Sequence, residues 1–134
     1  MKIKEMMTDD IVYCEPNASV KEAALLMKEN EIGSVPVCED DKKVKGIISD
    51  RDIVIRCVAE EKTDASVKDV MSEDLITGQP NMSDKEASKL MADHQIRRLP
   101  IVEDGALVGM VALGDLAVEQ SDKKAGEALS EISK

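Results

Sequence analysis

The sequence predicts an α+β (α/β) fold made of two copies of one small unit, each strand–helix–strand–strand–helix, packed about a pseudo-two-fold axis. Three observations predict it. The stretch from Ile3 to Asp40 reappears, without a gap, as Val67 to Asp104. Each copy carries a helix-start signal at the same place. Each copy also ends on a glycine, two apolar residues and an aspartate, as "GIISDRD" at 46–52 and "GMVALGD" at 109–115.

The elements follow in order. Met6, Met7 and Met71 precede the expected first strands, where Tyr13 and Cys14 lie in the first copy. "PNASVKEA" and "PNMSDKEA" then place Ser19 and Ser83 three residues before Glu22 and Glu86. That spacing lets a hydroxyl and a carboxylate satisfy orphan amides at a helix start. Val20, Ala23, Ala24 and Met27 continue at helical spacing, as do Ala87, Leu90 and Met91. A short strand follows, "SVPVC" or "LPIVE", then an acidic turn, "EDDKK" or "EDGA". A second strand, "VKGIIS" or "LVGMVA", leads to a second helix opening at Asp50 or Leu113. One residue fewer in the second turn brings Gly46 onto Gly109 and Asp52 onto Asp115. Residues 1–62 thus form the first repeat, 63–120 the second and 121–134 a tail. In the tail, Ala128, Leu129 and Ile132 make one apolar stripe that favours a helix. Neither copy is large enough to close a good core alone, so the two are expected to pack sheet against sheet.

Composition narrows the function. The 134 residues are 43% apolar but only 1% aromatic, the single Tyr13. The core must be aliphatic and methionine-filled, and no aromatic platform for single-stranded nucleic acid is available. A formal net charge of −10 disfavours nucleic acid and anionic membrane as partners. Three cysteines without paired spacing read as reduced thiols of a cytoplasmic protein, not a zinc site. No apolar run reaches the about 18 residues of a membrane span, and Met1 to Thr8 lacks a signal-peptide core. The one histidine, His94, falls at a helix end and reads as a partner for the helix dipole. The sequence offers no nucleophile–base pair, metal set or Walker-type phosphate loop, so a catalyst is not expected.

Ser49-x-x-Asp52 falls at a strand-to-helix junction, where backbone amides attract anions. A carboxylate offers two acceptors to the two adjacent hydroxyls of a ribose. The same spacing also serves a plain helix N-cap. Gly46 admits close approach of a backbone or a base. The second copy differs, because Ala112 replaces the hydroxyl while Asp115 remains. The middle strand is asymmetric in the opposite sense. Arg97 and Arg98 precede Leu99-Pro100, whereas Gly33 and Ser34 precede Val35-Pro36. Arginine forks suit phosphate, though they also pair with surface carboxylates.

In order, "P-x-x-S-x-x-E-A", "VPV" or "LPIV" and "G-I-I-S-x-x-D" make the chain resemble a tandem pair of CBS domains, named for cystathionine β-synthase and also called a Bateman module. The resemblance covers about Ile3 to Val118, and "SDRDI" with "HQIRRLP" is similar to stand-alone bacterial and archaeal pairs. It implies a regulatory module that senses adenine nucleotides (AMP, ADP or ATP) or S-adenosylmethionine between the repeats, with no required cofactor. It further implies a disc-shaped homodimer and an effector protein elsewhere. By the same resemblance Asp52, and more weakly Asp115, would hold ribose, Ser49 would lie near phosphate, and Arg97 or Arg98 would take the phosphates. Base contacts would fall near Tyr13, Cys14, Ile32 and Pro36. The alternative is a dimeric scaffold or stress-associated interaction protein that has kept the fold and lost the ligand, as Ala112 would favour.

Overall fold

The computed structural model describes residues 1–118, so the expected tail helix lies outside the described residues. Helix α1 spans Val20–Asn30 and is followed by β1 (Ser34–Cys38) and β2 (Val44–Ser49). A short α2, Asp50–Asp52, continues as a π-helical turn over Ile53–Val58. After a brief α3 (Val67–Val70), the pattern repeats with α4 (Asp84–His94), β3 (Arg98–Glu103) and β4 (Ala106–Ala112). Residues 113–118 are helical.

The caps read from the sequence are present. Ser19 Oγ accepts the Glu22 amide at 3.1 Å while Glu22 accepts the Ser19 amide, and Ser83 accepts the Glu86 amide at 3.1 Å. Both helices end on a left-handed residue, Glu31 and Gln95. Strands β1 and β2 pair antiparallel with a bulge after Val37, and β3 and β4 do the same after Ile101. The duplication therefore extends to an irregularity at the same site.

The expected first strand of each repeat is instead a single parallel bridge. The Cys14 amide donates to Pro36 O and the Cys38 amide donates to Cys14 O, at 3.0 and 2.9 Å. Gly78 does the same with Pro100 and Val102, at 2.9 Å each. To lengthen the first ladder, residues 36 and 16 would each have to donate an N–H. Both are proline, as are 100 and 80 in the second copy. All four prolines of the chain thus limit these ladders to one residue.

The two repeats exchange their leading segments. The 3₁₀ turn Ile3–Glu5 lies against repeat two, where the Ile3 amide donates to Met82 O and the Lys4 amide to Pro80 O. Helix α3 lies against repeat one, where the Val67 amide donates to Ala18 O and the Lys68 amide to Pro16 O. Two buried clusters result. Val67 and Val70 complete the first, with Val20, Ala23, Val35, Val37 and Ile48. Ile3 completes the second, with Ala87, Met91, Leu99, Ile101, Val111 and Leu116. Each copy fills its core with a piece of the other, which a unit this small needs.

Candidate ligand-binding site

The segments that follow these exchanged pieces cross the second strands. Ile47 and Ser72 share a pair of backbone hydrogen bonds, 2.9 and 2.8 Å, and Thr8 and Met110 share another, 2.9 Å each. The two glycines of the recurring motif sit at these crossings. A Cβ on Gly46 would lie 2.5 Å from the Ser72 carbonyl oxygen, and one on Gly109 would collide with the Met7 side chain. Gly46 therefore admits a backbone, that of repeat two.

Beside the Ile47–Ser72 crossing opens a cleft of about 610 Å³. Repeat one lines it with Gly33, Ser34, Ile47, Ser49, Asp50 and Asp52. Repeat two contributes Ser72, Gln95, Ile96, Arg97 and Arg98. The structure thus brings Ser49 and Asp52 together with Arg97 and Arg98 across the boundary between repeats.

Local structure sets each side chain. Ser49 is the N-cap of α2: its Oγ accepts the Asp52 amide at 3.0 Å, and Asp52 Oδ2 accepts the Ser49 amide at 3.0 Å. This reciprocal cap fixes both residues at the cleft wall. Asp52 Oδ1 makes no hydrogen bond among the described residues, so an acceptor remains for a hydroxyl. Asp50 turns back on its own helix, its Oδ1 accepting the Arg51 amide at 2.8 Å. Opposite, Arg98 is half-buried. Its Nε is fully shielded from solvent yet has no hydrogen-bond partner among the described residues. A guanidinium that lines a cleft is a natural complement to an anion there. Two carboxylates and two guanidiniums line the cleft, so it lacks the acidity of the rest of the surface. A second hollow, about 420 Å³, is lined by Glu15, Glu39 and Asp40, and its Lys68 donates to Asn17 Oδ1 at 3.2 Å. Its sign is wrong for an anion.

Other residues singled out in the sequence are not among those that line the cleft. Pro36 is buried in β1, Ile32 packs on the first cluster and Cys14 is buried beside it. Tyr13 is 37% exposed. Asp115 is exposed on the helical segment 113–118, where Ala112 offers no hydroxyl to cap it. Conversely, Ser72, Gln95 and Ile96 escaped the sequence reading. Ser72 carried a usable signal, since it aligns with Thr8 and the hydroxyl recurs. Among the described residues no group of three or more His, Cys, Asp or Glu could hold a metal ion.

The CBS domain family model matches residues 3–58 and again 67–122. The chain belongs to the CBS domain family. It is 50% identical over 133 residues to the CBS domain-containing protein YhcV of Bacillus subtilis (strain 168), covering 98% of this chain and 94% of that one. Two solved structures share the fold at a TM-score of 0.80 and 23% identity, each covering 92% of this chain and 98% of its own. One is the CBS domain pair of MJ0100 in complex with 5′-methylthioadenosine and S-adenosyl-L-methionine. The other is CBSX2 in complex with AMP. The paired CBS fold expected from the sequence is thus the fold of this chain.

Proposed function

We propose that this CBS pair is a regulatory module that takes an adenine nucleotide or an adenosyl compound into the cleft between its repeats. The observation that carries the reading is the cleft itself, which sets Arg97 and Arg98 of one repeat across from the capped Ser49–Asp52 pair of the other. AMP in CBSX2 and the adenosyl compounds in MJ0100 support the same chemistry. In this reading Asp52 Oδ1 accepts from the ribose hydroxyls, and Arg97 and Arg98 hold the phosphate. Because the cleft walls come from both repeats, an occupant favours the arrangement that brings them together. Exposed Val54, Ile55 and Val58 on the π turn give a second copy an apolar face, as a cytoplasmic homodimer would need, and sedimentation equilibrium reads that state.

A thermal-shift and calorimetric titration with AMP, ADP, ATP and S-adenosylmethionine tests the reading. A ligand at about a hundredfold over its Kd stabilises the native state by about 2.7 kcal/mol, well above detection. Asp52→Asn keeps an acceptor for the Ser49 amide and removes the charge, so it should weaken binding without unfolding the protein. A second reading has one observation in its favour: Ser49 and Asp52 already satisfy each other, as a ligand-free scaffold would require. The absence of any shift with all four compounds at millimolar concentration would leave the scaffold standing.

A further inference from the structure

Both crossings between the repeats carry a thioether. Met7 and Met71 occupy matching places in the two copies, and each reaches over a glycine in the second strand of the other repeat. A Cβ on Gly46 would lie 3.1 Å from the Met71 sulfur, and one on Gly109 would collide with the Met7 sulfur. The two side chains therefore fill the spaces that the missing Cβ atoms leave. Met82 sits against Gly78 in the same way, but inside repeat two. The backbone at the crossings has no hydrogen left to give. The amides of Ile47 and Ser72 donate to each other's carbonyls, as do those of Thr8 and Met110.

The eight methionines of the chain differ in access. Met1 is exposed, and Met27, Met91 and Met110 are buried. Met6, Met7, Met71 and Met82 are half-buried and keep contact with solvent, as attack by a small oxidant requires. The thiols compete poorly for such an oxidant. All three cysteines are buried, and burial pushes Cys14 and Cys38 up to about 11, so little thiolate forms.

We infer that Met7 and Met71 form a pair of oxidation-sensitive clasps, and that their conversion to sulfoxides by hydrogen peroxide unfastens the repeats at both crossings. In this step a sulfur lone pair attacks one peroxide oxygen, the O–O bond breaks, and water leaves as the S–O bond forms. Sulfur gives up two electrons and the peroxide takes them. The product is polar where the thioether was apolar. Its oxygen meets a seam too tight for a Cβ on either glycine, with the crossing amides already engaged. The clasp is read through stability, so it stands or falls whatever the cleft takes as ligand.

The test exposes the full chain and Met7→Leu/Met71→Leu to graded hydrogen peroxide. Peptide mapping by mass spectrometry assigns each sulfoxide, and circular dichroism reads Tm. Leucine keeps the volume and the apolar contact without a sulfur, so the double variant should melt close to the parent. In the parent, Met1 should oxidise first with no change in Tm. As Met7 and Met71 follow, Tm should fall by about 4 °C or more. Methionine sulfoxide reductase should restore it, which reads the same sites without any substitution. The double variant should hold its Tm through the same dose. An equal fall in the double variant would overturn the inference. So would full conversion of Met7 and Met71 with no fall, or a fall that the reductase leaves in place. A map in which Met27, Met91 and Met110 oxidise before Met7 and Met71 would overturn it as well.

Discussion

Replacing Ile3 by alanine tests the exchange of leading segments directly. Ile3 stands at the very start of repeat one, yet it is fully buried in the core of repeat two, with Leu99, Ile101 and Val111. Ile→Ala in a packed core costs about 2–5 kcal/mol, as lost transfer energy plus the cavity left behind. The short 3₁₀ turn can relax into part of the space, which places Ile3→Ala near about 2–3 kcal/mol. At about 4 °C per kcal/mol for a chain of this size, Tm should fall by about 8–12 °C. Far-UV circular dichroism is the suitable probe, because the chain has no Trp and one Tyr. Leu25→Ala is the control, since Leu25 is apolar but 44% exposed, and it should stay within about 0.5 kcal/mol. A double-mutant cycle then decides where Ile3 acts. Ile3→Ala should couple with Leu99→Ala by about 0.5 kcal/mol or more, and add simply to Val35→Ala in the other cluster. A Tm loss no larger than the control, or coupling to Val35 in place of Leu99, would refute the exchanged core.

Two further outcomes follow from the geometry. Gly46→Ala should destabilise by more than about 2 kcal/mol in a urea titration, because its Cβ would meet the Ser72 carbonyl at 2.5 Å. Gly114→Ala has nothing within 4 Å and lies in a helical segment, so it should be neutral or stabilise by up to about 1 kcal/mol. Burial pushes the thiols of Cys14 and Cys38 up from 9.0 to about 11, with Cys38 and Glu22 adding to the rise at Cys14, and Lys42 opposing it at Cys38. The folded state thus holds these protons more tightly than the unfolded chain. Their contribution to stability is full below pH 9 and is lost as pH rises towards about 11, so Tm should fall across that window. Cys14→Ser/Cys38→Ser should lessen that alkaline fall.

Much of this was legible in the sequence, and the residues show why. A duplicated capping box, such as Ser19–Glu22, is a contact three residues long, so spacing alone reveals it. The cross-repeat meeting of Ser49 and Asp52 with Arg97 and Arg98 was legible because the asymmetry of two aligned copies marks what each half supplies. The first strands were misjudged, since the effect of Pro16 and Pro36 depends on which donors a parallel ladder would use. That register is a tertiary fact. Ile3 and Val67 looked like the first apolar residues of their own repeats, and periodicity carries no sign of the core they enter. Resemblance places Tyr13, Ile32 and Pro36 near a ligand, and none of the three is among the residues that line the cleft.

The shortened first strands and the cleft have a common origin. A longer ladder at Cys14 or Gly78 would hold each leading segment along its own repeat. With prolines at 16, 36, 80 and 100, only one residue pairs, and the stretches before it are free to cross to the neighbour. There they find Gly46 and Gly109, where only a missing Cβ lets a chain pass so closely. The crossing at Ile47–Ser72 is at once a join between repeats and part of the cleft wall, one step from the Ser49–Asp52 cap. Arg56 ties the π turn to the same segment, its Nη1 donating to the carbonyls of Val70 and Met71 at 3.3 Å. A ligand held between Asp52 and Arg98 would therefore act on the contacts that join the repeats, and so would weigh on the one feature of the fold that neither copy can provide alone.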